Sequence, residues 1–521
     1  MKELNARAII IGGSIGGVLA AYSLCGMGET VVLTEETDWI GGQLTSQAVP
    51  PDEHKYIEYT GCTRSYREYR NKVRNYYRNH PFIIDEIKTK QFFCPGGSSV
   101  SRLAHPPKLA LKFLNEMLDG FIKKGKLKIL LNAKPKNTET DADEIKSVTV
   151  SVAGEDIRLT GKYFLDGTDT GELIKLSGEK YRSGAESKAE TLEFHAPFAG
   201  NKEDMQPVTY VCAAELCKEG DYTINKPAEY DYFRQIKMPC GNYNILSMYG
   251  PDSSTGKAKR FGIFDGETDE NGNKLFGLFS YRRIVNSNNF KNGYVPNDIT
   301  LINWPQNDYF MDNVYDGKDD ANNLYMAKQL TLSLMYYLQT EVPRADGGKG
   351  YKNLKLNKEI LGTSDGLAKA PYIRESRRLD TAFKVTENMI AKKSNNELPR
   401  FYDSVGVGCY HIDMHITTRT HTFFYDEAWP FEIPLRIFIA PTYKNLMPCC
   451  KNTGLTHITN GCYRLHPVEW NTGESAGLAA AYCMQRNTDI NEIVNNPVIL
   501  SDFQNLLTEK GIMLHWNAEE I

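Results

Sequence analysis

An unbroken apolar run, Ala8, Ile9, Ile10 and Ile11, gives way at once to glycines. Beyond them the small and apolar residues Val18, Leu19, Ala20, Ala21 and Leu24 recur at helical spacing, and "ETVVLTEE" (29–36) is a second apolar run that ends in acids. Strand, glycine loop, helix and strand in that order predict the βαβ half of a doubly wound parallel sheet. Residues 45–105 are polar and aromatic with no clear period, and read as an excursion from that sheet. Helical spacing returns at 106–126, followed by a strand, "LKILLN", a charged Thr-rich hairpin at 137–160, and "KYFLDGTDTGELIKLSG". From about 180 to 440 the chain turns to Asn, Gly, Asp and Tyr with many short strands, the texture of a second domain. The stretch "NLMPCC" to "YCMQ" goes back to strand, loop and a helix of small residues.

Composition narrows the field. A chain of 521 residues exceeds what one hydrophobic core supports. Its 61 Lys and Arg against 65 Asp and Glu leave a net charge of -4, no field for nucleic acid or an anionic membrane, so a small-molecule partner is expected and self-association stays open. No apolar run approaches the roughly 18 residues of a membrane span. The first apolar run meets glycines and not a cleavage pattern, which reads as a buried strand and makes the cytoplasm the expected location. Eleven cysteines without C-x-x-C spacing argue against a disulfide framework and a zinc module, and no metal is assigned.

The glycine loop carries the first chemistry. Gly12 and Gly17 fill the outer positions of a dinucleotide loop, Ser14 the middle one, and Gly13 and Gly16 add slack. A helix starting there aims its free N–H groups and positive dipole end at phosphates. Glu35, with Glu36 beside it, ends the second strand where an acid accepts hydrogen bonds from a ribose diol. The bland reading is a Gly-rich turn with no ligand.

Farther on, "GGQLTS" (Gly41, Gly42, Gln43, Leu44 and two more) resembles the segment that runs toward the flavin in flavoproteins of the glutathione reductase type. "LDGTDTGELIKLSG" resembles their "DATGDGDLA" stretch, with Asp166, Thr168, Gly171, Glu172 and Leu173 matching and Asp169 standing where glycine is usual. "NGCYRLHPVEWNTGESAGLAAA" resembles their last helix, where Gly473, Ser475, Ala476 and Gly477 are expected to bring N–H groups to the flavin. With "APYIRESRRLDTAFKVTENMI" and "YDSVGVGCYHIDMHI", the chain resembles bacterial FAD-dependent oxidoreductases of the xanthan lyase-like kind, relatives of the heterodisulfide reductase and fumarate reductase flavoproteins. The resemblance implies an α/β fold: a Rossmann-like FAD-binding domain from residues 1–180 and 441–521, with a mixed α+β substrate domain, 181–440, inserted. FAD is the implied cofactor.

"HIDMHITTRTH" (411–421), as a strand, puts His411, Asp413, His415, Thr417, Arg419 and His421 on one face. Such a face suits proton transfer beside a flavin or substrate binding, a metal, or only solvent. Arg374 and Arg377 in "RESRR" suit an anionic substrate group or a salt-bridged element. The resemblance brings Arg464 and His466 close to the flavin, where Arg464 would stabilise negative charge. The leading expectation is hydride transfer between a small alcohol, amine or sugar-like substrate and the flavin, with His411 or His415 taking the proton. A flavin monooxygenase using NAD(P)H and oxygen, and a non-catalytic flavin-binding protein, are the alternatives.

Overall fold

The computed structural model describes residues 2–252 and 255–521. Four strands from the first third of the chain share a sheet: β1 (Ala8–Ile11), β2 (Val31–Thr34), β3 (Leu127–Leu130) and β4 (Tyr163–Asp166). The middle of the chain builds an antiparallel sheet from β5 (Cys212–Leu216), β6 (Arg283–Val285), β7 (Asp298–Ile302) and β8 (Leu354–Leu356), in the order β6-β7-β5-β8. A short hairpin then pairs β9 (Ile412–Met414) with β10 (Phe424–Asp426). Finally β11 (Leu446–Pro448) returns beside β4, so the first sheet reads β11-β4-β1-β2-β3, parallel throughout. The architecture is the expected one, a Rossmann-like sheet with a mixed α+β insertion.

The local reasons are plain in the residues. All four residues of β1 are buried because a central parallel strand is covered on both faces. The cover on one face is α1 (Ile15–Gly26), and α1 is in turn covered by a long C-terminal helix. Between these two come α2 (Arg64–Arg78), α3 (Pro107–Lys123), α4 (Asp320–Thr340), which packs on the second sheet, and α5 (His457–Tyr463). The covering helix is α6 (His466–Arg486).

Three sequence expectations change here. The featureless excursion contains α2, whose buried stripe is Tyr66, Tyr69, Arg70, Val73, Arg74 and Tyr77. Its helical period is hidden because two stripe positions are arginines, satisfied by Glu53 and Glu58. The small residues of α6 are not at its free N-terminus: the helix starts at His466, two turns before Gly473. Gly473 is small because a Cβ there would lie 2.3 Å from the Gly16 carbonyl oxygen of α1. The run packs helix on helix, and the Ser475 hydroxyl donates to Val405 O at 2.6 Å. Lastly, the strand expected over 411–421 ends at Met414. Alternation of burial holds to Ile416, then Thr417 and Thr418 are both buried and the chain turns, Thr417 N–H donating to Thr422 O at 3.1 Å.

No described helix is long and apolar enough to cross a membrane.

Candidate active site and cofactor cradle

The carboxyl ends of the parallel neighbours β1, β2, β4 and β11 lie together at one edge of the sheet, the place where doubly wound sheets hold ligands. Gly12 leaves β1 at φ +96, and a Cβ there would lie 2.3 Å from Thr168 N, so only glycine fits. Ser14 caps α1, its hydroxyl accepting from Gly17 N–H at 3.2 Å. Gly41 N–H donates to Gly13 O at 2.6 Å, which lays the Gly41–Gly42 segment on the loop. Leu44 is buried behind it.

Glu35 is buried at the end of β2. One carboxylate oxygen accepts from Gly13 N–H at 3.0 Å, the other from the Thr37 N–H and hydroxyl, each at 2.8 Å. Burial pushes its carboxyl up to about 7, against those Thr37 bonds. Glu36 is exposed. Asp166, fully buried, accepts from the N–H groups of Thr168 and Ile174, both at 2.9 Å, and folds the loop after β4. Glu172 in that loop pairs with Arg377 at 2.8 Å, and Arg377 pairs also with Asp316, so this arginine braces the loop below Gly171.

Three residues not singled out among the expected cofactor contacts meet the loop. Glu469, in the first turns of α6, accepts from Gly16 N–H at 3.1 Å with one oxygen and from Gln43 Nε2 with the other. Cys450 Sγ lies 3.2 Å from Glu469 Oε1. The buried Lys451 ammonium pairs with Asp169 and lies 4.0 Å from Glu469. The available signals were slight: an acid in place of the usual glycine at 169, and a lysine in an otherwise apolar strand end.

Gln43 also donates to Arg464 O at 2.9 Å, which ties the loop to the second half of the site. Buried Arg464 donates to Tyr372 Oη at 2.7 Å and to Asp413 Oδ2 at 3.2 Å. Asp413, His411 and His415 line a cavity of about 330 Å³ together with Asp308. His415 sits between two carboxylates, Nδ1 2.6 Å from Asp308 and Nε2 3.3 Å from Asp413. The His411 ring stacks on Tyr410 and meets Tyr425 at a tilt, ring centroids 3.9 and 4.1 Å away. Burial lowers the His411 imidazole from its ordinary value. Burial pushes Asp413 up, but His415 and Arg464 outweigh it and hold the carboxyl far below the usual range.

The other expected substrate-binding residues lie elsewhere. Arg374 is buried behind Asp308, pairing with it at 2.8 Å. Arg419 turns away to Asp312 and Glu203, and exposed His421 stands edge-on to Phe310. Both departures follow from the turn at 417. His466 is buried in the first turn of α6: Nδ1 accepts from Asp52 N–H at 3.0 Å, so its proton sits on Nε2, which donates to Val49 O at 3.1 Å. Burial lowers this imidazole to about 4, and it clamps the 49–52 segment against α6.

Among the described residues two groups bring metal-type ligand atoms together, Asp169–Cys450–Glu469 and His195–Glu387–Asp426. In each a lysine ammonium already meets the carboxylates, Lys451 in the first and Lys393 in the second.

The cradle fits a flavin dinucleotide. Its glycines leave no room for side chains at the loop, and Gln43 Oε1 and Arg464 Nε are buried without a partner at the junction of loop and cavity. Fold and cradle together define a dinucleotide-binding flavoprotein. The chain belongs to the FAD dependent oxidoreductase family, whose model matches residues 8–507. It is an oxidoreductase enzyme and its cofactor is FAD. No curated protein matches the chain. Over 98% of its length it is similar to a geranylgeranyl bacteriochlorophyll reductase-like protein from Thermoplasma acidophilum, 9% identical over 85% of that chain with a TM-score of 0.35. It is similar over the same share to quinol fumarate reductase from E. coli, 10% identical over 74% of that chain with a TM-score of 0.35. The likeness to L-proline dehydrogenase from P. horikoshii, 16% identical with a TM-score of 0.18, covers 32% of this chain and spans only 22% of that one.

Proposed function

We propose that the enzyme moves a hydride between FAD and a small, neutral, hydroxylated substrate held in the cavity beside His411. Bound FAD supplies the two-electron hydride chemistry. What supports the substrate class is that the charged groups of the wall meet partners within the protein: Asp308 pairs with Arg374, Asp413 with Arg464 and Asp252 with Lys259, and His415 lies between Asp308 and Asp413. These charges are met inside the protein, while rings such as Phe261, Phe310 and Tyr425 offer apolar faces. This favours an alcohol or sugar-like compound over an amine.

His411 is the proton acceptor in this proposal. Both ring nitrogens of His415 face carboxylates, whereas His411 is held by ring stacking alone among the described residues. Its lowered basicity keeps it neutral, with a lone pair to receive the hydroxyl proton. His415 and Asp413 orient the substrate hydroxyls, and Arg464 couples this wall to the cofactor strap.

With this reading go a substrate role for residues 181–440, a cofactor role for 1–180 and 441–521, a cytoplasmic place of action suggested by the eleven unpaired cysteines, and membership of the xanthan lyase-like branch suggested by the motifs. The observation that carries the proposal is His411, held by aromatic rings in a cavity whose charged groups already have protein partners. The test is anaerobic bleaching of the bound flavin by a panel of polyols, sugars, amines and carboxylates. Bleaching by polyols or sugars supports it; bleaching confined to amines, or substrate-stimulated NADPH oxidation in its place, overturns it.

A further inference from the structure

Glu469 is an acid in an unusual position. It is 1% exposed, yet its Oε1 occupies the Gly16 N–H in the first turn of α1. That turn, with free N–H groups and the positive end of the helix dipole, is where a dinucleotide fold draws in the phosphates. A protein carboxylate therefore stands at the anion-attracting end of the dinucleotide helix.

Its surroundings sharpen the conflict. The groups facing Glu469 are the Gly16 N–H of α1, the Gln43 amide, the Cys450 thiol and the Lys451 ammonium that follow β11. Lys451 is 1% exposed and already paired with Asp169 from the loop after β4. Asp169 in turn reaches the cradle, its Oδ2 lying 3.2 Å from where a Cβ on Gly42 would stand. One buried cation is thus shared by two carboxylates beside the loop. A diphosphate brings two more negative charges, so it and the Glu469 carboxylate compete for the same N–H groups and the same ammonium.

We propose that Glu469 is an internal stand-in for the cofactor's diphosphate, holding the loop and Lys451 in place until FAD displaces its carboxylate, and that Lys451 is the diphosphate's counter-cation. The Asp169–Lys451 pair then explains two departures at once: the acid after β4 keeps a buried ammonium charged and positioned beside the loop. Gln43, whose Nε2 bonds Glu469 and whose Oε1 is buried without a partner, borders the carboxylate on the side of the cavity. When the carboxylate leaves, Gln43 Nε2 keeps its bond to the Arg464 carbonyl oxygen. The inference is independent of which substrate the cavity takes.

The test measures binding with three probes: FAD, ADP as a diphosphate without flavin, and riboflavin as a flavin without phosphate. Glu469→Gln keeps the acceptor for Gly16 N–H and the size of the side chain, giving up only the bond from Gln43 Nε2, so it removes charge without removing shape. It should bind FAD and ADP about tenfold more tightly than the native protein and riboflavin no better. Removing the cation alone leaves buried carboxylates unpaired and risks unfolding, so the Asp169→Asn, Lys451→Met double variant replaces the pair as a unit. That variant should melt within a few degrees of the native apoprotein and bind FAD and ADP at least tenfold more weakly. Glu469→Gln binding FAD no more tightly than the native protein, or gaining as much for riboflavin as for FAD, overturns the proposal. So does undiminished FAD affinity in a folded double variant.

Discussion

The side-chain amide of Gln43 donates to the backbone carbonyl of Arg464 at 2.9 Å, joining segments 421 residues apart. The same amide nitrogen bonds Glu469 at the head of α6, while Arg464 reaches out to Asp413 on the cavity wall. One glutamine thus links the cofactor strap to the substrate pocket. Gln43→Leu, close in size, should leave the Arg464 carbonyl and one Glu469 oxygen buried and unpaired. We expect a loss of about 1–3 kcal/mol in urea unfolding and weaker FAD retention on desalting. Unchanged stability and retention would show that the link carries no load.

His411 should be needed for chemistry and not for the cofactor. Its ring meets Tyr410 and Tyr425 and lines the cavity, whose wall contains no residue of the glycine loop. His411→Asn should lower the anaerobic rate of flavin reduction by roughly 10²–10⁴-fold while FAD content stays constant. The neutral ring is the active form, so the native rate should rise with pH and level off. Because burial lowers this imidazole below its ordinary 6.5, the midpoint should fall below that value. A rate that instead falls as pH rises through this range would assign the limb to another group.

Glu474 on α6 gives a pH signature of stability. It is buried, with the Ser65 hydroxyl and the Trp470 Nε1–H, at 3.2 Å, donating to it, and burial raises its carboxyl from 4.5 to about 7. A folded value above the unfolded one means that its contribution is fully present below about 4.5 and is lost as pH rises through about 7. Glu474→Gln should therefore melt closer to its own pH 5 value at pH 8 than the native protein does, narrowing the pH dependence by about 1–3 kcal/mol. Identical slopes in the two proteins would mean that Glu474 stays ionised when folded.

These sites show where reading the chain succeeds and where it stops. The βαβ unit is legible because β1, the glycine loop and Glu35 each follow from local chemistry within some thirty residues. α2 is not, because Arg70 and Arg74 hold places in its buried stripe and the acids that permit this lie in a neighbouring loop. Alternation from His411 to Ile416 is visible, but the turn that removes Arg419 and His421 depends on backbone N–H groups donating to the Thr417 hydroxyl and the Asp204 carboxylate, which alternation does not encode. The arginines of "RESRR" stand out as charge, yet their partners Asp308 and Asp316 lie 66 and 61 positions earlier. Likewise Glu469 and Lys451 become cradle residues only once β11 returns beside β4.

Ser14 separates two ways of losing the loop. Its hydroxyl caps α1 through Gly17 N–H, and it is 1% exposed where Gly42 crosses the loop, a Cβ on Gly42 lying 2.9 Å from Ser14 Cα. Glycine at this position gives up the cap at a cost of only a few tenths of a kcal/mol, so Ser14→Gly should keep FAD and melt nearly as the native protein does. Leucine cannot be accommodated beside Gly42 without pushing the strap away from the loop, an overpacking cost of about 1–3 kcal/mol. Ser14→Leu should therefore emerge from purification without its yellow colour and fail to take up added FAD, while far-ultraviolet circular dichroism shows the fold intact. Full flavin content in that variant would mean that the strap and the loop approach each other less closely in the loaded enzyme than they do here.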